Sequence, residues 1–125
     1  MAKFTADSVL DAALAKVATA TRMVITSAQP ANFAGIAAVA LADNVMTAGA
    51  GNGDYTLADG DTSGRKLTVL AQNGITVDAS GNANHVCLDD GATLLHVTTI
   101  TAQAVTAGNT INVGAYDVEF ADVTP

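Results

Sequence analysis

The residues best equipped for chemistry lie close together along the chain: His85, Cys87, Asp89 and His96, which include both histidines and the only cysteine. Two imidazoles, a thiol and a carboxylate could hold a metal ion, and a Cys-His pair could act as nucleophile and base. The histidines flank Asp90-Gly91 on candidate strands that could set them face to face. Neither chemistry is complete. A closed zinc site needs four well-placed ligands, and this spacing matches no metal motif. A thiol nucleophile needs an orienting third group and an oxyanion hole, and no other residue supplies them. Cys87 reads as a small core residue. No catalytic, cofactor-binding or metal-ligating residue is assigned, and no cofactor is expected.

Other polar clusters fare the same way. Gly49 to Leu57 (GAGNGDYTL) resembles the glycine-rich nonapeptide that binds calcium. That motif works by stacking copies, and here there is one. Asp59 and Asp61 add carboxylates nearby, but a solvated acidic loop is expected. The same glycines make no phosphate cradle, since no Lys-Ser/Thr follows them. Asp117 and Glu119 alternate with Tyr116, Val118 and Phe120, the pattern of a solvated sheet face. Arg65 and Lys66 form the one basic cluster. It reads as a solvated strand start, with an anchor for an acidic partner surface as the functional alternative.

The elements that must position these groups are mostly strands. A single domain is expected over residues 1–125, with a helix over about 6–18 and a β-rich body over about 55–122. Ser8 and Asp11 suggest a capping box. Val9, Leu10, Ala13, Leu14 and Val17 then share one helical face, and Lys16 suits the helix end. Arg22 to Thr26 reads as a strand. Ala31 to Val45 is ambiguous, and Ala34 to Asp43 fits a short helix or an extended segment. Thr47 to Asp54 reads as a flexible loop. Asn73-Gly74 and Asp90-Gly91 are hairpin signals, Ser80-Gly81-Asn82 is a turn, and Ala107-Gly108-Asn109 separates the last pair of strands. The apolar positions change parity between Ile111/Val113 and Tyr116/Val118/Phe120, which predicts a bulge or bend at Gly114. The fold class is mainly β: an antiparallel sandwich or barrel-like meander preceded by one N-terminal helix.

Composition narrows function. Five basic residues face twelve acidic ones, for a net charge of −7. Such a surface gains nothing from counterion release on a duplex, so neither nucleic acid nor an anionic membrane is expected as a partner. The first residues hold no apolar signal segment, and no run reaches a membrane span of roughly 18 residues. Synthesis and folding in a host cytoplasm are expected. With no Trp and only five aromatic residues, the core must be built from Val, Leu, Ile and Ala.

Longer strings carry a resemblance. Leu10 to Leu14 leads into Thr21 to Pro30; Gly60 to Val69, His85 to Leu88, Leu94 to Thr99 and Thr106 to Thr110 follow. Together they resemble a family of small proteins encoded among the virion genes of tailed phages. The resemblance implies a virion structural protein without catalysis. Its first expectation is a capsid decoration or cement protein on the capsid exterior. There it would bind the major capsid protein lattice, associate with its own copies and stabilise the head. A tail or head-fibre component is the rival, and a glycan- or Ca²⁺-binding β module is the reading from another class. The N-terminal helix and the alanine-rich segment are the candidate docking surfaces.

Overall fold

The computed structural model describes residues 5–121. Its elements in chain order are α1 (Asp7–Val17), β1 (Arg22–Thr26), a 3₁₀ turn (Phe33–Gly35), α2 (Ile36–Val39), β2 (Ala40–Val45), β3 (Tyr55–Asp59) and β4 (Arg65–Val69). Then come β5 (Gln72–Thr76), β6 (Gly81–Asp89), β7 (Leu94–Val105), β8 (Thr110–Val113) and β9 (Tyr116–Phe120). The protein is mainly β with one N-terminal helix, and the six strand ladders among the described residues are antiparallel. The four-stranded sheet has the order β2-β1-β6-β7, the three-stranded sheet β3-β4-β9, and β5 pairs with β8.

The layout is sandwich-like. The inner face of the four-stranded sheet supplies Met23, Ile25, Val86 and Leu88 to one core. Opposite them lie Tyr55, Leu67, Val69 and Val118 from the three-stranded sheet, and Ile75, Ile111 and Val113 from the β5-β8 pair. Each such side chain contributes roughly 1.5–3 kcal/mol on full burial. The helix α1 adds Leu14 and Val17 to this core.

Met23, Val24 and Ile25 are all buried, so β1 is covered on both faces. The second cover is the segment from Phe33 to Val39, which crosses the outer face. Ile36 packs there with Val24 and Cys87, and Phe33, Leu94 and Val97 border them. The ambiguous stretch is thus divided. Its first half forms the 3₁₀ turn and α2, and its second half extends as an edge strand along β1.

Several local expectations are corrected. The helix begins at Asp7, one residue before the expected cap, and its N-cap Ala6 makes no side-chain bond. Asp11 is drawn instead to the guanidinium of Arg65 at 2.8 Å, a charge-assisted bond stronger than a neutral cap. Val9 is 60% exposed and Ala13 faces solvent; Leu10, Leu14 and Val17 form the buried stripe. Asn73-Gly74 makes no hairpin. It lies inside β5 as an irregularity, because β5 pairs with distant β8 and leaves β4 to β3 and β9. Gly81 and Asn82 open β6 and do not form a turn.

The Asp90-Gly91 hairpin is present, joining β6 to β7. Its connection is the four residues Asp90 to Thr93, in which the Asp90 carboxylate accepts from the Ala92 and Thr93 amides. Ala107-Gly108-Asn109 lies in a turn, but the strands on its two sides pair elsewhere. The strands therefore do not run as a sequential meander. The bend at Gly114 is a full break: β8 pairs with β5 and β9 with β4, so the chain changes sheets there. Residues 1–4, 122 and the rest of the C-terminus lie outside the described residues.

Candidate functional surfaces

The strand β6 decides the fate of the chemical cluster. Its side chains alternate between faces, and the register pairs Leu88 with His96 and Cys87 with Val97. His96 therefore shares the inner face with Val86 and Leu88, whereas His85 shares the outer face with Cys87. The two histidines lie on opposite faces of the sheet. The His85 Nδ1 is 2.6 Å from Asn84 Oδ1. Cys87 is fully buried against Val24 and Ile36, and its Sγ is 3.8 Å from the Thr26 hydroxyl. Burial pushes the thiol pKa up, opposite to the shift that activates a nucleophile.

Asp89 is buried as well, and its carboxylate is committed. It accepts from Arg22 Nε at 2.9 Å and from the Gly91 amide at 3.0 Å. The Arg22 guanidinium in turn sits 6.0 Å from the Phe33 ring centre, which helps hold the crossing segment over the sheet.

His96 stacks on Tyr116, with ring centres 6.4 Å apart and planes 19° from parallel. The stack joins β7 to β9. The His96 Nδ1 and the Tyr116 hydroxyl are both shielded from solvent, and neither has a hydrogen-bond partner among the described residues. Desolvation lowers the His96 pKa below the ordinary imidazole value and raises the Tyr116 pKa above that of a free phenol. Sequence reasoning missed this pair, because the contact depends on two strands that share no ladder.

The basic cluster is engaged by its own chain. Arg65 contacts Asp11 at 2.8 Å and Asp59 at 2.7 Å. Lys66 contacts Asp61 at 2.7 Å and Asp117 at 3.6 Å. These pairs join α1, β3, β4 and β9, and they raise the pKa of both bases. Two nitrogens of the Arg65 guanidinium are thus engaged within the chain. Glu119 accepts from the Asp61 amide and Asp117 from the Thr68 hydroxyl, on the exposed face expected of them.

The glycine-rich loop is likewise tied down. Asp54 accepts from the Thr47 amide at 2.6 Å and from Gln72 at 3.1 Å, and the Gly49 amide donates to Ala18. Tyr55 anchors the loop's end by donating to the Ala20 carbonyl at 2.9 Å. Among the described residues, no three His, Cys, Asp or Glu side chains come together as a ligand set. No described helix is long and apolar enough to cross a membrane.

What the fold leaves open is surface. The two expected docking segments lie on opposite sides of the β1-β6 ladder, since α1 packs with Met23 and Ile25 and α2 with Val24. Each shows small residues to solvent: Ala12, Ala13 and Ala15 on α1, and Ala34, Ala37 and Ala38 on the crossing segment. A third surface was not singled out by sequence. A groove of about 420 Å³ separates Thr98 to Gln103 on β7 from Asn112 to Tyr116. Its signal was available, because no Asp, Glu, Lys or Arg occurs between Gly91 and Tyr116. Comparison with known proteins finds no match to this chain: no family model, no curated protein and no solved structure.

Proposed function

We propose that this protein is a non-enzymatic structural component of a tailed-phage virion, a decoration or cement protein on the outside of the capsid. The observation that carries the reading is the commitment of the chemical side chains to the fold itself. His96 is stacked inside, Cys87 is buried as a thiol, and Asp89, Arg65 and Lys66 are paired within the chain. Area remains, in small-residue faces on α1 and on the segment from Phe33 to Val39. A shell protein needs such area more than it needs a pocket. Repetition on a lattice lets modest contacts hold through avidity. The acidic surface suits the side of a shell that faces away from packaged DNA. The resemblance of the strings from Leu10 to Thr110 supplies the phage context.

The test is particle binding. Purified protein is added to mature shells stripped of it, and saturable binding to the major capsid protein lattice is expected. Binding to tails alone replaces this reading with a tail or fibre component. Binding to neither overturns it.

A further inference from the structure

The chain from Gly91 to Tyr116 carries no charged side chain, although the protein as a whole carries −7. That run contains β7, the turn after it, β8 and the break at Gly114. Its two parts, Thr98 to Gln103 and Asn112 to Tyr116, line the same groove. Thr99, Thr101, Ala102, Gln103 and Ala104 on β7 are exposed, and so are Asn112, Gly114 and Ala115 across the groove.

The strand β7 is also an edge. It pairs with β6 on one side, and among the described residues no strand pairs with the other. Unpaired edge amides and carbonyls are a template for another strand, and proteins usually blunt them with charge. The edges of the two larger sheets otherwise do so: β2 carries Asp43 and is partly covered by Val77 to Ala79, β3 carries Asp59, and β9 carries Asp117 and Glu119, whereas the shorter β5 and β8 are also uncharged. The twelve residues of β7 carry none. One irregularity limits the template. Ile100 to Ala102 stand opposite Asn84 alone, so regular edge groups are confined to His96–Thr99 and Gln103–Val105.

We infer that the free edge of β7, with the groove beside it, is where a second copy of this chain docks, edge to edge about a two-fold axis. The charge distribution selects this occupant. Two copies at −7 repel each other, and along the β2, β3 or β9 edges they would set carboxylate against carboxylate. Along β7 they meet with no charge at all. Tyr116 lines the groove beside this edge. The inference deepens the self-association part of the proposed function and does not depend on which part of a particle the protein occupies.

Sedimentation velocity of the purified full chain over a range of concentrations tests it. A reversible dimer is expected, and added salt should tighten it by screening the repulsion between acidic copies. Thr101→Glu and Gln103→Glu place like charges across the axis and should weaken the dimer by about tenfold or more. Thr101→Lys should also weaken it, although it lowers the net charge. Thr56→Glu, an exposed site on β3, should leave it unchanged. Circular dichroism melts confirm that each variant is folded before its association is read. A chain that stays monomeric, a dimer that salt dissociates, or a dimer indifferent to the β7 variants overturns the inference. Shell binding is measured separately, so either reading can fail while the other stands.

Discussion

Arg22 and Asp89 are partners twice over: their Cα atoms stand opposite each other in the β1-β6 ladder, and Arg22 Nε donates to Asp89 Oδ2 at 2.9 Å. The carboxylate is wholly buried, whereas the Arg22 side chain is 37% exposed. Removing the arginine therefore leaves a shielded charge with only the Gly91 amide. Arg22→Ala should cost about 2–3 kcal/mol in urea unfolding. Asp89→Asn, which carries no charge to strand, should cost less. If Arg22→Ala unfolds at the wild-type midpoint, the pair is not holding β1 to β6.

The His96-Tyr116 stack makes stability depend on pH. Unfolded His96 takes up a proton near the ordinary imidazole pKa of about 6.5. Folded His96 resists until lower pH, because burial disfavours the cation. Between those two values the unfolded state holds more protons, so stability rises with pH through the window and falls on acidification below about pH 6.5. His96→Leu should flatten that part of the melting-temperature profile. An unchanged slope in the variant would assign the effect elsewhere.

Gly64 sits at φ +71° where the chain turns into β4, beside the end of β9. A Cβ there would run into the Phe120 carbonyl and stand 2.8 Å from Ala121 Cα. Gly64→Ala should destabilise by about 3 kcal/mol or more, combining a left-handed backbone with overpacking. Gly91→Ala is the matched control. Its φ is +90° but its surroundings are open, so the backbone cost of about 1 kcal/mol should stand alone. Denaturant midpoints of the two variants compare them directly.

Cys87 reports on the cover over the outer face of the main sheet. Its thiol is buried beneath Ile36, in a cluster much smaller than the main core. A native-state thiol reagent should therefore react slowly, at a rate set by opening of the segment from Phe33 to Val39. Ile36→Ala should speed the reaction about tenfold or more, since each 1.4 kcal/mol of lost local stability is a factor of ten. A labelling rate that Ile36→Ala leaves unchanged would mean that the cover does not gate the thiol.

Local signals in the sequence were legible wherever one element decided its own conformation. The strand Arg22–Thr26 followed from its β-branched residues, and the break at Gly114 from a change of parity that no single strand permits. Asn73-Gly74 shows where this stops. The dipeptide tolerates a hairpin, but Ile75 is buried by pairing with Ile111, and that long-range match decided its place. His85 and His96 show the same limit. Their spacing is visible in the sequence, but the face each occupies depends on the register of β6 against β7 and on an extra residue near Leu95. The pairing of Arg65 with Asp11 was hidden for a related reason, since it joins a helix to a strand that only the fold brings near.

The break at Gly114 also sets an order of assembly. β4 lies in the middle of its sheet only because β9 arrives on its open side, and β5 finds its ladder only with β8. Both late strands come from the final stretch of the described chain. Until residues 110–120 have left the ribosome, β4 has one bare flank and β5 has no ladder partner. The hairpins β1-β2, β3-β4 and β6-β7 can form as they emerge, but the layers they belong to cannot close. Completion of the core therefore waits on β8 and β9, and the layers begun by the earlier hairpins close only once both have emerged.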